Sequence, residues 1–381
     1  MPVVCVTGEN TKDVAVPSDG VCDFLIFAHV TLDESNNHFV SAGSNEGAFQ
    51  HFLKAASKSS ATHFLLSVLE RDSEYFADQM ENEGHAARLL ERYRSGHIRG
   101  YGFARYVVRD ADADRKQLKK LHALLAKLRH IQENEELVVF MGIRFVIDPE
   151  KRQASLNQLV QAVSSSLTFL VLITHVTPGH AESTEACVVD PIDSWTNSSF
   201  NNKSHLSMRE AAELVRRQTG DAQRQQSFLL SSSMAVVYYD VDEDADRNAE
   251  LRDVPCTGAS VSSYATVCTA ELGWKVGAEG TGDHVRYEQF AEMGKWRTYK
   301  TRPHLAIEMR AALDLQMGSR SQGLGWAFYD IDLDDGEGRC ASRWKLRNAH
   351  EARFFRLKEA AKNFRDFKTD FRETVPRYRF R

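Results

Sequence analysis

Short apolar runs rich in β-branched and aromatic residues alternate along this chain with longer stretches whose apolar positions recur at helical spacing. The runs read as strands at Val3–Thr7, Phe24–Val30, His63–Leu69, Tyr101–Val108, Leu137–Val146, Leu167–Thr174, Met234–Val241 and Gly325–Leu333. Between them the spacing predicts helices over Gly47–Lys58, Ser73–Ser95, Arg115–Gln132, Ala154–Ser165, Met208–Thr219 and Pro303–Met317. Strands that are apolar at nearly every position are buried on both faces, the condition of a parallel sheet covered by helices. Eight such strands over about 330 residues fit a closed (β/α)8 barrel better than an open doubly wound sheet.

The alternation breaks once. Asp242–Tyr299 holds no long helix but carries Trp274, Tyr287, Trp296 and Tyr299, and reads as a small α+β insertion between strands seven and eight. The expected organisation is residues 1–241 for strands one to seven, 242–299 for the insertion, 300–340 for barrel closure, and 341–381 for a basic helix and tail. An insertion there extends the C-terminal face, where barrels build their sites. Its aromatics either line a groove or form the insertion's own core, and both readings stay open.

Net charge is −5 over 381 residues, which argues against bulk binding of nucleic acid or an anionic membrane. No apolar run of about 18 residues exists, so no membrane span is expected. The charge is uneven: residues 341–381 hold thirteen Lys and Arg against five acids, and the rest is acidic. That basic tail is either a docking site for an anionic partner or an amphipathic helix. Phe354, Leu357, Ala361, Phe364 and Phe371 recur at helical spacing and favour the second reading.

The cysteines are Cys5, Cys22, Cys187, Cys256, Cys268 and Cys340. None lies in a C-x-x-C pair and no His cluster accompanies them, so no metal site is expected. Six cysteines allow 15 pairings, and spacing alone does not choose among them. Two glycosylation sequons begin at Asn197 and Asn202 in one polar stretch, and with the cysteines they favour an extracellular protein. The opening Met1-Pro-Val-Val-Cys5 has neither a charged nor an apolar leader region, so no signal peptide is read in this chain. No Gly-rich phosphate loop follows a strand, and no cofactor is expected.

The run Gly323-Leu-Gly-Trp-Ala-Phe-Tyr-Asp-Ile-Asp-Leu-Asp-Asp335, followed by Gly338 and Cys340, resembles the closing strand of family 18 glycoside hydrolases, the chitinases. Ser263-Tyr-Ala-Thr-Val-Cys268 and Trp296-Arg-Thr-Tyr299 resemble that family's inserted subdomain. Val3-Val-Cys5 and Cys22-Asp-Phe-Leu-Ile-Phe-Ala28 resemble its first two strands. The resemblance implies disulfides Cys5–Cys22 and Cys268–Cys340, leaving Cys187 and Cys256 as a third pair, and an extracellular setting.

It also implies a lost reaction. The family's fourth strand ends Phe-Asp-Gly-x-Asp-x-Asp-x-Glu, whose Glu protonates the glycosidic oxygen while an Asp orients the substrate's N-acetyl group. The matching residues here are Ala104, Val107, Arg109 and Ala111, so all four carboxylates are replaced. Asp110, Asp112 and Asp114 lie just beyond and read as caps of the next helix. Alternation places Arg105, Val107 and Arg109 on one face, so Arg109 is expected in the barrel mouth with Asp330 or Asp332 as counter-charge. The same alternation sets Asp330, Asp332 and Asp334 together on strand eight. They form either a carboxylate cluster or, in the terminal Asp334–Asp335 pair, a cap on the loop to Cys340. His29 and His175, at strand ends, read as hydrogen-bonded structural residues.

Ligand-binding candidates are Tyr329, Trp296, Trp274, Phe27, Arg109 and Asp332. Tyr329 replaces the family's site-floor Trp, which reduces stacking area without abolishing it. Three functions follow: a non-catalytic chitinase-like protein binding chitin-type or other glycan, an enzyme with relocated carboxylates, or a barrel that binds a protein partner. A monomer is expected.

Overall fold

The computed structural model describes residues 2–8, 16–33, 38–43, 46–81, 83–109, 123–124, 126–127, 137–163, 166–175, 187–193, 195–196, 206–218, 227–241, 254–269, 274–276, 286–290, 294–316 and 324–374. Eight parallel strands close on themselves as a (β/α)8 barrel. They are β1 (Val3–Thr7), β2 (Phe24–Asp33), β4 (His63–Val68), β5 (Ile98–Val108), β6 (Val138–Phe145), β7 (Phe169–Leu172), β8 (Ser227–Ser233) and β14 (Leu324–Tyr329). Closure is by β1, which pairs with both β2 and β14. A short β3 (His38–Ser41) folds back antiparallel on β2.

Two buried layers follow from side-chain alternation. Val4, Ile26, Leu65, Phe140, Val171 and Leu229 point into the barrel. Their neighbours Val3, Phe27, Leu66, Met141, Leu172 and Leu230 point out, against the helices. Helices Glu46–Ala56, Ser73–Glu81, Glu83–Arg94, Pro149–Val163, Met208–Arg216 and Arg302–Leu315 supply that outer layer. The helix expected over Arg115–Gln132 lies almost wholly outside the described residues.

Two strand assignments need correction. Strand seven is Ser227–Ser233, not Met234–Val241. Four serines depress its apolar signal, yet two of them, Ser231 and Ser233, are needed as inward polar groups, as shown below. Val236–Val241 is β9, part of a separate antiparallel sheet ordered β10-β9-β13-β12-β11, with β10 Cys256–Ser262, β11 Lys275–Val276, β12 Arg286–Phe290 and β13 Lys295–Tyr299. The insertion therefore begins before residue 242. Strand eight ends at Tyr329 rather than Leu333: Asp330 takes a left-handed φ of 54° and Ile331–Leu333 form a 3-10 turn. Alternation stops there, so Asp330, Asp332 and Asp334 do not share a strand face.

All six cysteines are paired, Cys5–Cys22, Cys187–Cys256 and Cys268–Cys340, as the family resemblance implies. The C-terminal helix, Phe355–Thr374, packs on the barrel through Leu357, Ala361 and Phe364, with Phe354 just ahead of it. Among the described residues no helix is long and apolar enough to cross a membrane.

Candidate functional site

The C-terminal ends of the strands form the mouth, and β5 dominates it. Its ladder with β6 slips between Phe103 and Tyr106. Ala104 faces inward, while Tyr106 and Val108 join the outer layer, so the bulge inserts Arg105 as the extra residue. A bulge interrupts the ladder and leaves backbone groups that side chains must satisfy. The Ala104 amide donates to Ser67 Oγ at 2.7 Å, and the Ala104 carbonyl accepts from the Tyr329 hydroxyl at 2.6 Å. Tyr329 thus reaches from the eighth barrel strand to the fourth.

Gly142 makes room for this contact. A Cβ there would lie 2.1 Å from the Ala104 carbonyl oxygen and 2.7 Å from the Tyr329 hydroxyl. Gly142 is therefore inward-facing, and Arg144, two residues on, follows on the same side. Its register partner in the parallel ladder is Val107, which shares that face.

Two histidine–serine pairs flank the tyrosine. His29 Nδ1 lies 2.9 Å from Ser67 Oγ, and His175 Nδ1 lies 2.8 Å from Ser231 Oγ. The His175 ring also packs on Tyr329 at 4.6 Å between centroids. Ser231 Oγ accepts from the Thr174 amide at 2.9 Å, and Ser233 Oγ donates to Asp330 at 2.5 Å. Ser67 and Ser231 are fully buried. A buried hydroxyl already accepting an amide proton is not an accessible nucleophile, so the belt braces the mouth. The structural reading of both histidines holds. Their serine partners were not singled out from sequence, although each lies two residues beyond an inward-facing leucine.

The expected site residues separate. Ala104 and Val107 face inward. Arg109 is exposed just past the end of β5 and is not buried in the mouth, so it requires no buried counter-charge; the arginine that β5 buries is Arg105, at 7% exposure. Ala111 lies outside the described residues, as do Asn197 and Asn202. Tyr329 is at the mouth but only 1% exposed, with its ring enclosed. Phe27 is a correction: its neighbours Ile26 and Ala28 point in, so it points out, 5.1 Å from Phe49 and 5.3 Å from Phe52 between ring centroids. Trp296 is buried in the insertion's core with Tyr239 and Val254. Trp274 is half-buried, with the Arg297 guanidinium over its ring at 4.1 Å. Asp332 is nearly buried in the turn after β14.

The terminal aspartates act as the cap reading expects. Asp335 accepts from the backbone amides of Arg339 and Cys340, each at 2.8 Å. Asp334 pairs with buried Arg356 at 3.0 Å. Burial pushes the Asp334 carboxyl up, and Arg356 opposes that. Behind the mouth, fully buried Lys300 bridges Asp193 at 2.9 Å and Glu308 of helix Arg302–Leu315. Burial alone would lower the Lys300 pKa, but the two carboxylates outweigh it and hold it above the usual value. This charge group, which sequence reading missed, ties the loop after β7 to the insertion and to that helix. Among the described residues no group of three metal-ligating side chains could hold an ion.

No protein-family model and no curated protein matches the sequence. Solved structures do. Catalytic domain 2 of the Ostrinia furnacalis group II chitinase superposes with a TM-score of 0.67 at 12% identity, covering 96% of each chain. Human YKL-39, described as a pseudo-chitinase with retained chitooligosaccharide binding properties, gives 0.65 at 14% identity over 96% of this chain and 99% of its own. The chitinase-like agglutinin of Robinia pseudoacacia gives 0.61 at 13% identity over 95% and 99%. At these identities the likeness establishes the barrel fold.

Proposed function

We propose that this chain is a secreted, monomeric, non-hydrolysing relative of the family 18 chitinases that recognises chitin-type glycan. The observation that carries the reading is the inner end of the mouth. Ala104 and Val107 face inward on β5 where the resembled family sets carboxylates, and the Tyr329 hydroxyl occupies the space beside Ala104. A glycosidic oxygen brought there meets a methyl group, an isopropyl group and a phenol already engaged. The neighbouring Glu70 carboxylate is taken up by the Val107 amide at 3.3 Å rather than standing at any of the family's acid positions. The fold neighbours that bind chitooligosaccharide or agglutinate support the glycan part, and the three disulfides support an oxidising, extracellular setting.

Titration calorimetry with chitotetraose, beside retention on chitin beads, tests it. Saturable binding without product formation is expected. Absence of both heat and retention overturns the glycan part. It would leave the second reading, a barrel that binds a protein partner, which the burial of the Tyr329 ring favours because an enclosed ring offers no face for sugar stacking.

A further inference from the structure

The basic excess of the C-terminal region divides in two. The helix Phe355–Thr374 turns its apolar side to the barrel, as an amphipathic helix should. The loop before it carries Arg343, Lys345, Arg347 and Arg353 with Glu351 as its one acid between 343 and 353, and all four cations are exposed. We propose that this loop is a docking surface for a sulfated polysaccharide.

Three observations point there. Among the described residues none of the four cations forms an ion pair. Arg343 Nη1 donates to the Val267 carbonyl at 3.0 Å and Arg353 Nε to the Gly336 carbonyl at 2.8 Å, both uncharged acceptors. Glu351 directs its carboxylate to the Arg347 amide and to Asn348, as a local cap. Second, the loop is held in one shape. Cys340 is bonded to Cys268, Asp335 accepts two of the loop's amides, and Trp344 stacks on Tyr264 at 5.9 Å. A preformed array of cations loses little freedom when an anion docks. Third, Lys358, at the start of the helix, is shifted to a lower pKa by burial and by the charge of Arg353, a sign of local positive potential.

The occupant follows from what surrounds the loop. The one large apolar side chain exposed among the described residues, Ile307, belongs to another helix, so nothing beside the loop would insert into a bilayer. The chain's net charge of −5 opposes long nucleic acid. Three disulfides fit an oxidising exterior, where sulfate esters on polysaccharide are the accessible polyanion, and guanidinium forks match sulfate as they match phosphate. The four cations are not among the inward residues Ala104, Val107, Gly142 and Tyr329 that line the mouth, and the inference does not depend on what the mouth binds.

The test measures binding of the full chain to immobilised heparin as NaCl is raised. Wild type should bind with an affinity that falls steeply with salt. Arg343→Gln, Lys345→Gln, Arg347→Gln and Arg353→Gln together should weaken binding by about tenfold or more and flatten the salt dependence. Lys345→Glu alone, at an exposed side chain, should move binding in the same direction without altering the thermal midpoint. Arg377→Gln, Arg379→Gln and Arg381→Gln together should bind as wild type. Equal binding by wild type and the quadruple variant, loss in the tail variant instead, equal affinity for desulfated heparin, or tighter binding to phosphatidylserine vesicles or duplex DNA at matched salt would each overturn the proposal.

Discussion

The Tyr329 hydroxyl donates a 2.6 Å hydrogen bond to the backbone carbonyl of Ala104, joining the eighth barrel strand to the fourth across the mouth. The bond depends on three local features: a bulge that takes the Ala104 carbonyl out of the regular ladder, a glycine at 142 that leaves room, and an alanine at 104 with no side chain to compete. A longer inward side chain on β5 would have to displace the tyrosine.

Tyr329→Phe should remove this bond and leave the Ala104 carbonyl buried without that donor. The expected cost is about 1–3 kcal/mol, read as a lower urea midpoint with an unchanged slope. An unchanged midpoint would mean that the bond does not brace the mouth.

Lys300→Met should be more damaging, about 3–5 kcal/mol, because it leaves Asp193 and Glu308 buried without their cation. The folded pKa of Lys300 lies above its unfolded value, so its contribution is complete at neutral pH and disappears only as pH rises through the folded value. Replacing Lys300, Asp193 and Glu308 together by apolar residues should cost less than Lys300→Met alone. A larger loss in the triple variant, by chemical denaturation, would contradict the desolvation argument.

Much of the barrel was legible in the sequence because its apolar runs are continuous. Val3–Thr7 is read correctly to the residue, and Phe24, His63 and Val108 mark true strand ends. Strand seven was not legible, because serines that hydrogen-bond Thr174, His175 and Asp330 look polar in a linear reading. A one-residue bulge at Arg105 is likewise invisible to periodicity, and it is what separates the buried arginine from Arg109. Lys300, Asp193 and Glu308 each read as surface charges, since only the fold brings them together. The disulfide pairing came from family resemblance, not from spacing.

Asp19 gives a pH-dependent check. The Ser59 hydroxyl, followed by the amides of Ser60, Thr62 and Ala61, holds its carboxyl well below the ordinary 3.8. A depressed folded pKa adds stability above the unfolded value and loses it as pH falls through the folded one. The group is exposed, so screening leaves about 0.5–1 kcal/mol. Asp19→Asn should be less stable than wild type by that amount above about pH 5, with the gap narrowing below about pH 4. A gap that widens on acidification, in thermal melts across this range, would contradict the assignment.

The central claim is that none of the strand-four positions at which the resembled family sets its acids carries one here, Ala104, Val107, Arg109 and Ala111 standing in their places. General acid catalysis contributes about 10²–10⁴-fold, or about 3–5 kcal/mol at 1.36 kcal/mol per tenfold. Loss of the group that orients the N-acetyl carbonyl is a further, separate deficit. The most direct measurement is turnover of a fluorogenic chitotriose substrate by the purified wild-type chain between about pH 4 and pH 8. The prediction is no hydrolysis above the enzyme-free blank at any pH. Sustained turnover abolished by Asp330→Asn or Asp332→Asn would contradict it and move the chemistry to the turn after β14.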